Sequence, residues 1–301
     1  MKPAVSIIVL NYNGCEDTLA CLRSLEHLTY PNFTVIVVDN HSSDGSVEAV
    51  RAAHPNVKLI ETGANLGFTG GNNVGIRYAL QHGADYVMLL NNDTVAAPDM
   101  LDVMIEVMEA APDIGVTGPM IYYYSAPDII WSAGGAIDWA RGTTDMIGLN
   151  EEDKAQFGLS PRPVDFVTGC CLLARRETWE RAGLLDEKFF MYYEETEWCV
   201  RAGHAGFRIV HVPMAMLWHK ISIESRASSP RAHYYMTRNR LLFLRRTRAG
   251  LRPLMFTLIE YTRMIVSWSV YARWREKRPL RHIMLRAIKD FSLGRFGPMA
   301  V

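Results

Sequence analysis

The sequence predicts an α/β fold in which a mostly parallel sheet is flanked by helices. Short apolar runs rich in β-branched residues alternate with segments of helical spacing through the first 110 residues. That alternation is typical of strands that pair in parallel. The chain has 301 residues, of which 49% are hydrophobic, so it can bury a large core in one or two domains.

Four apolar runs are predicted as strands of this sheet, and they lie at residues 4–10, 33–38, 57–61 and 86–90. The helices that follow them are predicted at residues 16–28, 44–53, 72–81 and 98–110. Leu19, Leu22 and Leu25 form one stripe of the first helix, and Pro98 suits the first turn of the last. The later pattern is less regular, with strands predicted at 166–173 and 214–218 and a helix at 194–204.

The five cysteines favour neither a disulfide framework nor a zinc site. Their number is odd, Cys170 and Cys171 are adjacent, and no Cys-x-x-Cys occurs. The N-terminal segment has a short apolar run but lacks the longer apolar core and the cleavage site of a signal peptide. The chain is therefore expected in a reducing, cytoplasmic setting.

Charge is distributed unevenly along a chain whose formal net charge is zero. Residues 226–301 contain 17 Lys and Arg against 3 Asp and Glu, whereas residues 1–225 contain 15 against 29. This asymmetry predicts an acidic body and a basic extension with a boundary near Ser225. No recognised nucleic-acid motif accompanies the basic residues, so no nucleic-acid partner is expected.

Two segments of the basic extension have the composition of amphipathic helices. Residues 231–248 combine six arginines with aromatic and aliphatic side chains, and Glu260 and Arg263 interrupt the apolar stretch at 251–274. A spanning helix usually needs about 20 mostly apolar residues. We therefore expect helices that lie on the anionic inner leaflet of the cell membrane, in peripheral contact with it. A helical subdomain packed on the body is the alternative.

Polar residues stand at the ends of three predicted strands. They are Asn-Tyr-Asn at 11–13, Asp-Asn-His at 39–41 and Asn-Asn-Asp at 91–93. Ligands of parallel sheets bind beyond the carboxyl ends of the strands. A turn or a helix cap would explain one such end, but three at one edge favour a binding site. Beside them, the glycine-rich segment 63–73 is predicted as a loop close to a helix start, which can approach phosphates closely.

Six segments, taken in order, resemble glycosyltransferase family 2, and bacterial rhamnosyltransferase-like members most. They are VSIIVLNYNG, VIVVDNHSSDGS, ETGANLGFTGGNNVGI, MLLNNDT, GLLDEKFFMYYEETEWCVRAGHAGF and LWHKIS, and they cover residues 5–222. The resemblance implies the GT-A fold, with a catalytic domain at 1–225 and the basic helical region at 226–301. Within the catalytic domain, it implies a nucleotide-sugar-binding half at 1–118 and an acceptor-binding half at 119–225.

A nucleotide-sugar donor follows from the same resemblance. Asp39 would bind the base or ribose, the segment 10–13 would line the same pocket, and Asn65 with the glycine-rich segment would hold nucleotide and sugar. The residues implied for donor binding are Leu10, Asn11, Asn13, Asp39, Asn65, Gly70, Asn72 and Asn92.

A divalent metal, Mg²⁺ or Mn²⁺, is implied as the cofactor. Asn91 to Asp93 stand where the family has Asp-x-Asp, so Asp93 would be a direct ligand, and His219 matches a second ligand. Asn91 replaces the first acid, so it would coordinate through its neutral amide oxygen or act only through hydrogen bonds. Such an ion prefers oxygen ligands and stabilises a departing diphosphate as a Lewis acid. A lone histidine such as His219 can also be merely exposed or capped.

The acidic run Glu-Glu-Thr-Glu at 194–197 resembles the family's catalytic motif. Residue-by-residue matching gives Glu195 the role of general base, with Glu194 as the competing assignment. An acidic helix start favoured by the helix dipole is the alternative. Trp131, Asp186 and Trp198 are implied on the acceptor side, although a tryptophan can equally be part of the core.

The resemblance predicts an inverting, metal-dependent glycosyltransferase. It would move a sugar, with rhamnose from dTDP-rhamnose as the best candidate, to a cell-surface glycan or a lipid-linked acceptor. A nucleotidyltransferase is one alternative, but the segment 11–14 lacks the basic residue that its loop would need. A degenerate scaffold that binds glycans or membranes without catalysis is the other, because Asn91 and Glu195 depart from the family pattern.

Overall fold

The computed structural model describes residues 2–221 and 229–299. The strands are Val5–Asn11 (β1), Phe33–Asp39 (β2), Lys58–Glu61 (β3), Tyr86–Asn91 (β4), Thr94–Ala96 (β5), Ile114–Tyr123 (β6), Ala126–Ser132 (β7), Gly135–Asp138 (β8), Thr143–Met146 (β9), Arg162–Pro163 (β10), Cys171–Arg175 (β11) and Arg208–His219 (β12). The helices are Cys15–Leu25 (α1), Ser46–Ala53 (α2), Gly67–Gln81 (α3), Met100–Ala110 (α4), Arg176–Ala182 (α5), Glu194–His204 (α6), Pro230–Arg246 (α7), Leu251–Val270 (α8) and Arg278–Ser292 (α9). A 3-10 helix at Ala272–Lys277 joins the last two.

The first four strands pair in parallel in the order β3-β2-β1-β4, which confirms the predicted parallel pattern. Their register aligns the polar strand ends, because Asn11 pairs with Asp39 and Leu10 pairs with Asn91. The three polar ends therefore meet at one edge of the sheet.

The sheet continues as β11, β6, β12 and β10 beyond β4. β11 is antiparallel to both of its neighbours, and β12 is parallel to β6. The strand predicted at 166–173 is wrong in position, because β11 begins at Cys171 and Phe166 makes only an isolated bridge to Gly135. The strand predicted at 214–218 is confirmed as part of the longer β12.

Helices cover both faces of the sheet because side chains of its strands alternate between two apolar clusters. Ile7 and Val9 of β1 pack on one face with residues of α1 and α4. Ile8 of β1 packs on the other face with residues of α3, α5, α6 and α7. The core therefore lies on both sides of the sheet, and its polar edge is left for ligands.

The glycine-rich segment is not the loop that the sequence predicts. Helix α3 begins at Gly67 rather than at residue 72, so the segment forms its first turns. A Cβ at Gly75 would lie 2.6 Å from Ile8 Cγ2, and one at Gly71 would overlap Leu10. The glycines therefore let α3 approach β1 closely, and this packing outweighs their low helix propensity.

Helix α7 is integral to the body and cannot lie on a membrane, which corrects that expectation for residues 231–248. Its middle is buried from Thr237 to Leu244, and Leu242, Phe243 and Leu244 pack in the same cluster as Ile8. The subdomain alternative therefore applies to α7. The predicted boundary near Ser225 and the end of the last motif at Ser222 lie outside the described residues. Of the helices in the described ranges, none has the length and apolar character that a bilayer crossing needs.

We expect Gly75→Ala to destabilise the protein by up to about 2 kcal/mol. Overpacking against Ile8 costs about 1–3 kcal/mol, and the gain in helix propensity returns about 1 kcal/mol. Gly203→Ala is the matched control, because it also lies in a helix and its added Cβ would lie 3.8 Å from Ile209. Urea denaturation should show Gly203→Ala unchanged or stabilised, and equal free energies of unfolding for both variants would contradict the packing argument.

Candidate active site

A buried hydrogen-bond network ties the first two strand ends to the third. Asn11 Nδ2 donates to Asp39 Oδ1 (2.8 Å) and to Ser42 Oγ (3.0 Å). Thr18 Oγ1 donates to Asn11 Oδ1 (2.8 Å), and Asn92 Nδ2 donates to Thr18 Oγ1 (2.9 Å). The predicted donor residues Asn11, Asp39 and Asn92 are thus brought together and held rigidly.

A second network fixes the segment before α3. Buried Asn40 donates to Asn65 Oδ1 (3.1 Å) and to the Gly67 carbonyl (3.0 Å), and its Oδ1 accepts from the Leu66 amide (2.9 Å). Asn13, with a positive φ of 52°, accepts from the Ser43 amide (2.8 Å). Leu10, Asn13 and Asn65 therefore lie at the same sheet edge as Asp39.

Two of the residues predicted to bind the nucleotide-sugar donor instead pack inside helix α3. Gly70 and Asn72 are buried within α3, and Asn72 Nδ2 donates to the Phe68 carbonyl one turn earlier (2.9 Å). They are not in a loop that approaches a ligand, because the helix begins before them. Phe68 is the residue of this segment that lines a cavity.

Half-buried Asp93, just before β5, pairs with buried His219 at the end of β12. The short strand β5 pairs with the end of β12, so Asp93 Oδ1 lies 3.1 Å from His219 Nε2. Burial raises the pKa of Asp93, but the hydrogen bond and charge of His219 lower it more, so the pKa lies below its usual value. The carboxylate is therefore ionised at neutral pH.

The residues at this pair fit a divalent cation. Asp93 Oδ1 is a buried atom whose one polar contact among the described residues is His219 Nε2, and His219 Nδ1 is buried without a hydrogen-bond partner in the same part of the chain. Asn91 lines the same cavity and offers a neutral amide oxygen. Across residues 2–221 and 229–299, no group of three or more His, Cys, Asp or Glu could hold a metal ion. A cation here would therefore take part of its coordination shell from a ligand.

Glu194 and Glu195 begin α6 and face this pair across a cavity of about 250 Å³. Glu194 is buried, and its pKa is raised well above the usual value by burial and by the charge of Glu195. Glu195 also lines a second cavity of about 340 Å³. Glu197 plays a different part, because Arg201 Nε donates to both of its carboxylate oxygens at 2.9 Å.

The two cavities share a wall formed by Tyr192, Glu195 and Ile221. The smaller cavity contains the Asp93–His219 pair, whereas the larger one is lined mostly by apolar and aromatic residues. Its walls include β9 and, from α7, Ala232 and Met236. Glu195 thus lies between the Asp93–His219 cavity and an apolar cleft. A carboxylate in this position could take a proton from a molecule bound in one cavity while that molecule reacts with a second one bound in the other.

A strained loop presents these carboxylates. Phe190, Tyr192 and Tyr193 all have positive φ values (66°, 67° and 73°), which non-glycine residues rarely adopt. Each such residue costs about 1–3 kcal/mol and persists only where its surroundings enforce it. The loop therefore requires specific support.

Asn239 and Arg238 of α7 supply that support. Asn239 Nδ2 donates to the carbonyls of Phe189 (2.9 Å), Met191 (2.7 Å) and Tyr192 (2.9 Å). Arg238 is fully buried and donates to the Phe189 carbonyl (3.1 Å) and to Asn239 Oδ1 (3.0 Å). Sequence reasoning missed both residues, because they lie in a segment interpreted as a membrane-facing basic helix.

The predicted acceptor residues are dispersed. Trp198 is fully buried, stacks on Trp179 with ring centroids 3.9 Å apart and donates to the Gly183 carbonyl, so it belongs to the core and cannot touch an acceptor. Asp186 is ion-paired with Arg246 at the end of α7 (2.6 Å), a structural role that the prediction missed. Trp131 lines the smaller cavity and contacts the His219 ring edge-on at 4.6 Å.

The fold is that of the GT-A glycosyltransferases. A mannosyltransferase from Pyrobaculum calidifontis, solved in complex with GDP-Man and Mn²⁺, superposes with a TM-score of 0.59 at 15% identity. The match covers 98% of this chain and 88% of that chain. At this identity the likeness shows the fold alone.

The sequence matches the family model described as Glycosyl transferase family 2 over residues 6–182, and the chain belongs to that family. An N-acetylglucosaminyl-diphospho-decaprenol L-rhamnosyltransferase of Mycobacterium tuberculosis is 30% identical over 86% of this chain and 90% of its own length. The dTDP-rhamnosyl transferase RfbF of Shigella flexneri is 25% identical over 93% and 94%. The chain is therefore a rhamnosyltransferase-like glycosyltransferase, and the nucleotidyltransferase and non-catalytic alternatives are set aside.

We expect Asn239→Ala to lower sugar transfer about 100-fold, since removing the amide takes the side-chain donor from the Met191 and Tyr192 carbonyls and displaces the carboxylates that follow. The effect is measured as the initial rate of transfer from a nucleotide sugar that the wild-type protein turns over. Asn56→Ala, an exposed asparagine between α2 and β3, is the control and should keep the full rate. A folded Asn239→Ala protein with the wild-type rate would show that the loop does not depend on this amide.

Proposed function

We infer that the protein is an inverting, metal-dependent glycosyltransferase that moves a sugar from a nucleotide donor to a glycan or lipid-linked acceptor. The observation that carries this proposal is the position of Glu195, which lines both the cavity of the Asp93–His219 pair and the apolar cleft beside it. One carboxylate between two ligand-sized spaces suits a direct displacement with a single base.

Glu195 is the proposed base, and Glu194 supports it. In the reaction, the acceptor oxygen bonds to the anomeric carbon as its proton passes to the Glu195 carboxylate. The bond from that carbon to the diphosphate breaks, and the nucleoside diphosphate leaves with the electron pair. Glu194 is buried, and its raised pKa makes it a poorer candidate for an ionised base at neutral pH.

Asp93 and His219 are the proposed protein ligands of Mg²⁺ or Mn²⁺, and Asn91 could add its amide oxygen. The ion would neutralise charge on the departing diphosphate as a Lewis acid. The lowered pKa of Asp93 supports this assignment, because an ionised carboxylate is the form that binds a hard cation. Trp131 would keep the His219 ring in its orientation through the edge-on contact.

The donor side is proposed at the amide-rich sheet edge. Asp39 and the segment 10–13 would receive the nucleotide, while Asn65 and Asn92 hold the edge in shape through their hydrogen bonds. The names of the two bacterial relatives favour rhamnose from a dTDP donor and a lipid-linked acceptor. A cytoplasmic enzyme in peripheral contact with the inner face of the membrane would meet such an acceptor. In this proposal residues 1–225 form the catalytic domain, with a nucleotide-sugar-binding half at 1–118 and an acceptor-binding half at 119–225. Helix α7 supports the loop that carries its carboxylates.

We expect Glu195→Gln to lower transfer about 100-fold to 10,000-fold, which is the usual contribution of a general base. Glu194→Gln should cost less, because that side chain is buried beside the base rather than shared by both cavities. Initial rates over a panel of nucleotide sugars, dTDP-rhamnose included, provide the measurement. Glu48→Gln, in the first turn of α2, is the control. A wild-type rate for Glu195→Gln with loss for Glu194→Gln would reverse the assignment.

We expect removal of divalent ions by EDTA to abolish transfer, and Mn²⁺ or Mg²⁺ to restore it. Calorimetry should show that dTDP binds about tenfold more tightly, or better, with Mn²⁺ than without it. In Asp93→Ala this difference should disappear, because the ionised ligand is lost. Asp99→Ala serves as the control for a nearby exposed acid. Equal dTDP affinity with and without the ion in the wild-type protein would exclude the metal assignment.

A further inference from the structure

The outer face of α8 is apolar, although a helix on the surface of a soluble body usually turns polar residues outward. Its inner face packs through Thr257, Tyr261 and Trp268. Six apolar side chains on the outer face are between 40 and 78% exposed, and we call them the α8 stripe: Leu251, Met255, Phe256, Ile259, Val266 and Val270. They recur mostly at intervals of three, four and seven residues along a 20-residue helix, so they lie on one face over about 30 Å. Exposed Thr262 and Arg263 separate Ile259 from Val266 on that face.

Positive charge borders the α8 stripe. Arg252 and Arg263 are exposed along it. In the 3-10 helix that follows, Arg273 and Arg275 are exposed, together with one acid, Glu276. The only acidic residue of α8, Glu260, is ion-paired with Arg240 of α7 at 2.9 Å. The outward charge of α8 is therefore positive.

We propose that the α8 stripe is a docking surface for an anionic lipid bilayer, with α8 lying in the membrane plane. Apolar side chains on one face and basic residues around them are what an interfacial helix needs. Long arginine side chains can keep their stems in the apolar layer while their guanidinium groups reach lipid phosphates. The charge complementarity favours a bilayer over a second copy of this chain, since two such positive stripes would repel each other.

The surface is linked to the catalytic centre through α7. Tyr261 of α8 donates to the Thr237 carbonyl of α7 (3.2 Å), and α7 lines the larger cavity with Ala232 and Met236. A bilayer on α8 would thus hold the larger cavity close to lipid-linked molecules. This purpose rests on the proposed function, whereas bilayer binding itself does not.

Vesicle co-sedimentation with the full chain tests the proposal. We expect binding to phosphatidylcholine vesicles that contain about a third phosphatidylglycerol, weaker binding at high salt, and little binding to phosphatidylcholine alone. Ile259→Ser/Val266→Ser should lower the partition coefficient about tenfold or more. Arg273→Gln/Arg275→Gln should lower it by a similar factor and weaken its salt dependence. The matched control is Leu159→Ser/Leu293→Ser, which removes two leucines outside α8 that are at least as exposed as Ile259 and Val266, and it should bind as the wild type does.

Circular dichroism confirms that each variant is folded, and the arginine pair keeps the test valid if the serine pair does not fold. The proposal is overturned if the wild-type protein ignores anionic vesicles at low salt, or if both α8-region variants bind as well as the control. It is also overturned if size-exclusion chromatography shows that the stripe is covered in a dimer that only Ile259→Ser/Val266→Ser dissociates. Donor turnover without vesicles separates the two hypotheses: turnover without vesicle binding refutes only the docking surface, and vesicle binding without turnover of any nucleotide sugar refutes only the proposed function.

Discussion

The amide of Asn239 is the contact on which the rest of the active site depends. It donates to three carbonyls of a loop in which three non-glycine residues adopt left-handed backbone conformations. Without these donors the Met191 and Tyr192 carbonyls would lose their side-chain partner, and only the bond from Arg238 to the Phe189 carbonyl would still offset the strain from α7. Because α6 begins directly after the loop, Asn239 and Arg238 of α7 together support the backbone from which Glu194 and Glu195 project. The first helix of the basic extension is thus part of the body that carries the candidate site.

Sheet topology supplies the other half of the site. The short strand β5 pairs with the end of β12, and this pairing alone brings Asp93 against His219. The parallel register of β1, β2 and β4 independently aligns the amides at the same edge. The Asp93–His219 pair and the row of amides at the sheet edge are therefore consequences of strand order. The carboxylates of Glu194 and Glu195 line the same cavity as the pair, and α7 supports the loop that precedes them.

The predictable part of the fold is the part encoded locally. Apolar runs and helical spacing are local patterns, so β1 to β4 and the helices between them follow from the sequence, and the motifs identify Asp93, Glu195 and His219 as candidates. The start of α3 could not be predicted, because its glycines disfavour a helix until packing against Ile8 and Leu10 requires them. The prediction for Trp198 is wrong for a related reason. Its position in the motif suggests contact with the acceptor, and only its stacking on Trp179 shows that it belongs to the core.

The same distinction applies to charge. Counting arginines treats all of them as available to a partner, yet Arg238 and Arg240 of α7 are buried and bound to backbone carbonyls. Their charges stabilise the protein's own loops and offset Glu260, so they attract nothing outside the molecule. The exposed positive charge of the extension is therefore smaller than its composition suggests. It lies at the two ends of α7, with Arg231, Arg245 and Arg246, as well as on α8 and the segment after it. A charge asymmetry in a sequence thus identifies a region, but burial decides which of its arginines hold the protein together and which are left exposed at the surface.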